Sequence, residues 1–402
     1  MFEFLGGITT FMTYSLYFHI PFCRRRCHYC DFYTTTGKES LISAYFDALI
    51  KEFRLATHSR ERITVHSIYF GGGTPSLVSL GDYQRLIDTI QSESNVTEEC
   101  EISLEANPGT LSRRYLNELN DLGFNRISLG VQSTNDFDLL RLDRIHNSED
   151  VLISLYNARA AGFNNISLDL IFGLPWQDLN SWRNTLERAI LLEPEHFSIY
   201  SLIIEPGTPL FNWYQRGLIA EKDQDLEGEM YEFTIKCLAD AGYEHYEISN
   251  WRNRKSAQDF RCRHNLQYWR NQPYFGFGAA AHGYVDGFRT VNTPNLTAYL
   301  DRLKNHPQIS PLSPGMPAVV SMEEVDPITQ MQDFMWLGLR LIQEGVSAER
   351  FSSLYGCSMQ EKFGDEIEYL ISIGLVAWGE GERLHLTPRG VMVANQVFMQ
   401  FV

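Results

Sequence analysis

Short apolar runs of strand character alternate along this chain with longer segments of helical spacing. The runs cover 15–20, 67–70, 101–104, 126–131, 167–171, 197–204 and 243–248. They are rich in Ile, Leu, Val, Phe and Tyr, and several end in Gly, Pro or Asn. Between them, apolar residues recur at helical spacing over 41–55, 80–90, 112–122, 151–161, 180–192 and 226–241. Strand alternating with helix predicts parallel strands joined by crossovers. Six or seven such units predict an α/β fold, a partial (βα) barrel of TIM type.

Chemistry in such barrels gathers at the carboxyl ends of the strands. Polar or glycine-rich residues do follow the runs: three cysteines after the first, Gly71-Gly72-Gly73-Thr74-Pro75 after the second, Glu105-Ala106-Asn107-Pro108 after the third. Gln132-Ser133 follow the fourth, Asp169 lies near the end of the fifth before Gly173-Leu174-Pro175, and Glu205-Pro206-Gly207 follow the sixth. The segment from Gly276 to Gly283 reads as a tight-turn region closing the barrel mouth. Pro307, Pro311, Pro314 and Pro317 then mark a linker. Helical patterns at 329–343, 347–355 and 360–373, and a strand pair around Gly379-Glu380-Gly381, predict a mainly helical, winged-helix-like C-terminal domain. The expected division is a leader over 1–13, the barrel over 14–255, a closing segment over 256–304, the linker over 305–319 and the last domain over 320–402.

With 402 residues, 44% apolar and 21% charged, the composition is that of an ordinary soluble protein. A formal net charge of −16 argues against a broad grip on a nucleic-acid backbone. No apolar run approaches the roughly 20 residues that span a bilayer. Met1 to Met12 carries no Lys or Arg, unlike a secretory or transit signal. The seven cysteines are unevenly spaced and do not resemble a disulfide framework, so the expected compartment is the cytoplasm.

Three of those cysteines, Cys23, Cys27 and Cys30, stand in a C-x3-C-x2-C array immediately after the first strand. Thiolates hold iron–sulfur clusters, and a [4Fe–4S] cluster normally takes four. Three together leave one iron open to another ligand. A structural zinc site is the alternative, but it needs a fourth protein ligand and position 32 is Phe. Around such an iron, the glycine triplet lets backbone approach a ligand closely. Glu105 and Asp169 suit ribose hydroxyls or an amino group, Gln132 is a neutral hydrogen bonder, and Arg144 suits a carboxylate. Taken singly, Glu105 or Asp169 reads equally as a helix cap and Arg144 as part of a solvated face. Taken together they suit an amino acid joined to a nucleoside, as in S-adenosylmethionine.

The cysteine array with Gly71-Gly72-Gly73-Thr74-Pro75 resembles the radical S-adenosylmethionine (radical SAM) superfamily. Tyr17-Phe18-His19-Ile20-Pro21-Phe22-Cys23, Gly130-Val131-Gln132-Ser133, Arg144-Ile145-His146 and Asp169-Leu170-Ile171-Phe172-Gly173-Leu174-Pro175 narrow the likeness. They are similar to the branch holding oxygen-independent coproporphyrinogen III oxidases and related haem chaperones. The resemblance implies that Cys23, Cys27 and Cys30 ligate a [4Fe–4S] cluster. It implies that Tyr17, Tyr29, Gly72, Gly73, Thr74, Glu105, Gln132, Arg144 and Asp169 line an S-adenosylmethionine site. Reduction of the cluster would cleave the sulfonium to a 5′-deoxyadenosyl radical, with the cofactor carrying that chemistry. An electron donor such as a flavodoxin or ferredoxin is implied too. Arg24 to Arg26 read as a solvated loop.

Within the branch, two departures separate oxidase from chaperone. Oxidases of this kind carry a further cysteine two residues after the third ligand, where this chain has Phe32. They also carry a longer segment before the first cysteine than the 22 residues found here. Both favour the chaperone. His264-Asn265-x2-Tyr268-Trp269 resembles the haem-binding motif of those chaperones. Imidazole is a common axial ligand of haem iron, Tyr268 and Trp269 offer flat faces, and Arg261 and Arg263 suit propionates. Cys262 is a weaker ligand candidate. From chemistry alone, His264 and Trp269 read equally as packed residues joining two domains. The expectation is a protein that binds haem and passes it to haem-acceptor proteins, with the cluster supporting dimerisation or transfer. The enzyme alternative is oxidative decarboxylation of coproporphyrinogen III.

Overall fold

Six strands lie side by side in chain order, every neighbouring pair parallel: β1 (Thr13–Ile20), β2 (Thr64–Gly72), β3 (Asn95–Ala106), β4 (Arg126–Gln132), β5 (Ile166–Phe172) and β6 (His196–Ser201). They come from a computed structural model that describes residues 12–58, 60–305 and 316–402. The crossovers carry α1 (Ile42–Thr57), α2 (Leu80–Glu93), α3 (Arg113–Asp121), α4 (Asp136–Arg141), α5 (Ser148–Ala160) and α6 (Leu179–Ile190). After β6 come α7 (Pro209–Gln215) and α8 (Gln224–Asp240).

The strands obey a strict two-residue period. Leu16, Phe18, Ile20, Phe70, Leu104, Leu129 and Leu168 are fully buried on the face that the helices cover, where Phe46, Leu49, Leu86, Leu116 and Trp182 meet them. The alternate positions on the other face are polar: Ser15 and Tyr17, Ser67 and Tyr69, Ser103 and Glu105, Ser128, Ser167 and Asp169. The main apolar core therefore lies between sheet and helices, and the barrel interior is a polar chamber. That polar lining is what makes the interior a site.

The barrel stays open. On the β6 side the sheet continues with β8 (Asn250–Asn253) and β7 (Tyr243–Glu247), both antiparallel. The run predicted at 243–248 is thus half of an edge hairpin and not a seventh barrel strand. On the β1 side, β9 (Tyr274–Phe277) pairs parallel with β1, followed by β10 (His282–Val285), β11 (Phe288–Asn292) and β12 (Val319–Glu324). The stretch expected to be a tight turn holds one at 278–281, and its two ends are strands of this sheet. Phe275 and Phe277 are buried on alternate positions, and Gly276 has no room for a side chain against the His282 carbonyl. The turn between β10 and β11 is Asp286-Gly287 with φ of 55° and 79°, an Asp-Gly hairpin signal that the sequence reading passed over.

Helix α9 (Arg263–Trp269) lies between these two extensions in the chain, and α10 (Leu296–Asn305) follows β11. The C-terminal unit contains α11 (Pro327–Leu339), α12 (Ala348–Tyr355), α13 (Met359–Ser372) and a small antiparallel sheet of β13 (Val346–Ser347), β15 (Arg383–Leu386) and β14 (Val376–Gly379). Its own core centres on Met335, Leu339, Phe351, Ile367, Leu384 and Val397. Asp326 caps α11 ahead of Pro327, and Ser358 with Glu361 forms a capping box on α13. The architecture is a mixed α/β fold with a large, mainly parallel sheet and a helical C-terminal part. β12, an edge strand of the large sheet, runs across the boundary expected at 320. The leader, apart from residues 12 and 13, and most of the expected linker lie outside the described residues. No helix among the described residues is long and apolar enough to cross a membrane.

Candidate cluster and cofactor site

The cysteine loop is anchored at both ends by backbone hydrogen bonds. Cys23 N donates to Thr35 O at 2.9 Å, and Thr35 N donates to Pro21 O at 2.7 Å. His28 N donates to Leu142 O at 3.1 Å, and Leu210 N at the start of α7 donates to His28 O at 3.0 Å. Cys23 is buried, while Cys27 and Cys30 are half-buried. Burial pushes the Cys30 thiol up to about 11, and the neighbouring Cys27 and Cys23 add to the rise. Among the described residues, no three His, Cys, Asp or Glu side chains gather where they could hold a metal ion. Arg24, Arg25 and Arg26 are exposed, with Arg25 paired to Asp143 at 2.9 Å.

A chain of hydrogen bonds ties the strand ends to two of the thiols. Thr74 Oγ1 donates to Cys23 Sγ at 3.4 Å and accepts from Asn107 Nδ2 at 3.1 Å. Arg144 Nη2 donates to Asn107 Oδ1 at 2.5 Å and to Gly130 O at 2.6 Å, while its Nη1 donates to Cys27 Sγ at 3.4 Å. Arg144 Nε is a buried donor with no partner. A spare guanidinium donor beside the thiols fits a ligand carboxylate. Gln132 sits at a left-handed φ of 68° beside Arg144 and Asn107, all three around Gly130. Tyr29 hydrogen-bonds Arg144 and is held well above the usual phenol range, chiefly by burial.

The amides of the glycine triplet are engaged within the protein. Gly72 N donates to Glu105 Oε2 at 2.9 Å, Gly73 N to Ile20 O at 2.8 Å and Thr74 N to Phe22 O at 2.8 Å. A Cβ on Gly73 would stand 2.8 Å from both of those carbonyl oxygens. These amides are occupied by protein; the glycines let β2 close against the cysteine loop and fix Cys23.

Glu105 is half-buried in the chamber, with Tyr69 Oη donating to its Oε1 at 2.9 Å. Burial raises its carboxyl to about 7, against the Gly72 amide, which lowers it. Asp169 accepts from Ser128 Oγ at 2.8 and 2.9 Å and from Ser167 Oγ at 3.2 Å, and burial raises its carboxyl as well. Tyr17 Oη meets His19 Nδ1 at 3.1 Å. Tyr17, Glu105 and Asp169 thus line the interior, while Thr74, Gln132, Arg144 and Tyr29 sit with the thiols.

His264, by contrast, is deep in the chamber toward the amino ends of the strands. It is 1% exposed. Its Nδ1 meets Ser67 Oγ at 3.0 Å and its Nε2 meets Tyr268 Oη at 2.8 Å. Burial lowers its imidazole to about 3. Cys262 is buried beside Glu101, Asn265 is half-buried on α9, and Trp269 packs with Leu266, Tyr246 and Leu341 where the barrel meets the C-terminal unit. Arg261 and Arg263 are engaged elsewhere. Arg261 forks onto Asp259, with Nη2 to Oδ2 at 2.7 Å, and Arg263 pairs with Glu99 at 3.5 Å.

Several residues of this chamber escaped the sequence reading: Tyr69, Ser128, His19 and Ser67. Their signal was available. Each lies on a strand's polar alternate positions or directly after a strand, and a two-residue period read for its polar members would have marked them.

An open parallel barrel with three thiols at the carboxyl end of its first strand defines a radical SAM protein. Residues 17–189 match the Radical SAM superfamily, and residues 325–393 match the HemN C-terminal domain. The heme chaperone HemW of Bacillus subtilis (strain 168) is 38% identical over 96% of this chain and 99% of its own. The heme chaperone HemW of Lactococcus lactis subsp. lactis (strain IL1403) is 36% identical over 96% of this chain and 97% of its own. Coproporphyrinogen III oxidase (HemN) from Escherichia coli shares the fold, with a TM-score of 0.82 and 21% identity over 97% of this chain and 90% of its own. The chain belongs to the HemW family of the radical SAM superfamily.

Proposed function

We propose that this chain is a haem chaperone that carries a [4Fe–4S] cluster and S-adenosylmethionine, binds haem, and delivers it to haem-acceptor proteins in the cytoplasm. The observation that carries the reading is the full-length likeness to proteins named heme chaperones, together with Phe32 where the oxidase pattern has a further cysteine. Cys23, Cys27 and Cys30 would hold three irons. The unpaired Arg144 Nε suits the methionyl carboxylate, Glu105 the amino group, and Asp169 the ribose hydroxyls. When bound, cluster and cofactor supply one-electron chemistry, fed by a donor such as a flavodoxin or ferredoxin. The protein's own residues fix position: Thr74 and Arg144 orient two thiols, and Ser128 and Ser167 hold Asp169.

His264, with Tyr268 and Trp269, is the haem contact in this reading. Its Nε2 reaches iron only after the bond to Tyr268 Oη breaks. A dimer bridged through the cluster region belongs to the same reading. The test supplies anaerobically reconstituted protein with haem, and separately with coproporphyrinogen III and S-adenosylmethionine. Stoichiometric haem uptake without protoporphyrinogen formation is expected. Protoporphyrinogen formation would overturn the chaperone reading in favour of the oxidase.

A further inference from the structure

Where α9 ends, the chain runs into a cleft against the C-terminal unit. Trp269, Arg270, Phe334, Glu344, Arg350 and Arg383 line it. Two of the three guanidinium groups reach one carboxylate there. Arg270 forks onto Glu344, with Nε at 3.1 Å from both oxygens and Nη2 2.7 Å from Oε2. Arg383 is held by the Glu344 backbone carbonyl and reaches the same carboxylate only at 3.9 Å. Arg350 makes no ion pair with any described residue; its Nη2 approaches Arg270 O at 3.5 Å, and its guanidinium lies 5.6 Å from the Phe334 ring centre. Ser347 caps α12 at the same cleft, so the positive end of that helix adds to the potential. Trp269 Nε1 is a buried donor without a partner.

Positive charge crowded around one carboxylate, with a free guanidinium fork and a spare indole N–H, is the chemistry of a second carboxylate. We propose that Arg350 and Arg383, beside Trp269, form the site for a propionate of a porphyrin ligand. The proposal rests on the haem-binding reading and supplies its missing anion contact, since Arg261 and Arg263 are committed to Asp259 and Glu99. Arg270 follows His264 by six residues, roughly 9 Å along a helix axis at about 1.5 Å per residue. The cleft thus lies at the end of the helix that carries His264. The cleft also joins two cores, so a propionate seated there would bridge barrel and C-terminal unit.

The experiment titrates the full chain with metal-free protoporphyrin IX and with its dimethyl ester, following porphyrin emission; iron ligation plays no part. The diacid should bind at least about tenfold more tightly than the ester, as expected for loss of a charge-assisted pair. Arg350→Gln and Arg383→Gln should bring the diacid down to the ester's affinity and leave the ester unchanged. Arg350 is exposed, so its variant should keep the wild-type circular dichroism. Equal binding of diacid and ester, no binding of either, or variants that bind the diacid like wild type would each overturn the site. A parallel haem titration separates the two ideas. Wild-type protein that takes up haem while failing these comparisons loses the propionate site alone, whereas failure to take up haem at all removes the chaperone reading.

Discussion

The ring of Tyr69 stacks on that of His264, centroids 5.0 Å apart and planes 24° from parallel. The hydroxyl of the same Tyr69 donates to Glu105 at 2.9 Å. One side chain therefore touches both the candidate S-adenosylmethionine chamber and the candidate haem histidine. The two sites, far apart in sequence, are neighbours across a single aromatic ring.

Tyr69→Phe keeps the ring and removes the donor. A half-buried Glu105 that loses this bond is harder to ionise, so it pairs less well with a ligand ammonium. At about 1.5 to 3 kcal/mol for a hydrogen bond to a charged group, S-adenosylmethionine affinity should fall about 10- to 100-fold. Anaerobic calorimetry on cluster-loaded protein measures this. Unchanged affinity would mean that Glu105 does not meet the cofactor.

Arg144→Lys should separate cofactor binding from cluster assembly. Lysine keeps the charge but cannot reach Asn107, the Gly130 carbonyl and Cys27 together, nor present the Nε donor. The cluster's visible absorption should survive, while cofactor affinity drops by at least about tenfold. Loss of absorption instead would make Arg144 a determinant of the thiol loop alone.

Most of this arrangement was legible in the sequence, for a physical reason. Parallel strands buried on one side give apolar runs ending in the residues that do chemistry, so Cys23, Glu105 and Asp169 announce themselves by position. What stayed hidden depends on partners distant in the chain. The crowding of Gly73 by the Ile20 and Phe22 carbonyls cannot be read from its own segment. The 274–292 sheet extension was missed because Gly276, Gly278 and Gly283 suggest turns when their close-packed neighbours are unseen. Arg263 looked available because Glu99, distant in the chain, becomes its partner only on folding.

Tyr268→Phe tests whether His264 Nε2 is the haem ligand. The hydroxyl that occupies Nε2 at 2.8 Å competes with iron, so its removal should raise haem affinity. One neutral hydrogen bond is worth about 1 kcal/mol, giving roughly a fivefold gain. A Soret-band titration reads it. Weakened binding would place Tyr268 itself on the haem and His264 off it.

Glu52 gives the fold a pH dependence away from the cluster. It is buried on α1 and accepts from Tyr299 Oη at 2.7 Å, Gly278 N at 2.8 Å and Asn292 Nδ2 at 2.7 Å. Burial nevertheless raises its carboxyl from 4.5 to about 7. The native state thus holds the proton more tightly than the unfolded chain. Its contribution is fully present below about pH 4.5 and is lost as pH rises through about 7, an amount of about 3 kcal/mol. Denaturation of cofactor-free protein across that window should show stability falling with pH. Glu52→Gln should shallow the fall, leaving the part due to Glu105, which titrates in the same range. An unchanged slope would mean the three donors keep Glu52 ionised throughout.

Gly73→Ala is the sharpest test of what the glycine triplet is for. If these glycines existed to admit a ligand, a methyl group at 73 would obstruct S-adenosylmethionine and leave the cluster intact. The geometry demands another result. The added Cβ would press on Ile20 O and Phe22 O, both 2.8 Å away, and these carbonyls accept the Gly73 and Thr74 amides that lock β2 onto the cysteine loop. Relieving the clash moves the loop, and Thr74 Oγ1 then leaves Cys23 Sγ. Strain of this kind costs about 1–3 kcal/mol. The variant should reconstitute with a weakened or absent four-iron spectrum while retaining its far-ultraviolet circular dichroism. A full-strength cluster with lost cofactor binding would return the triplet to the role of ligand cradle.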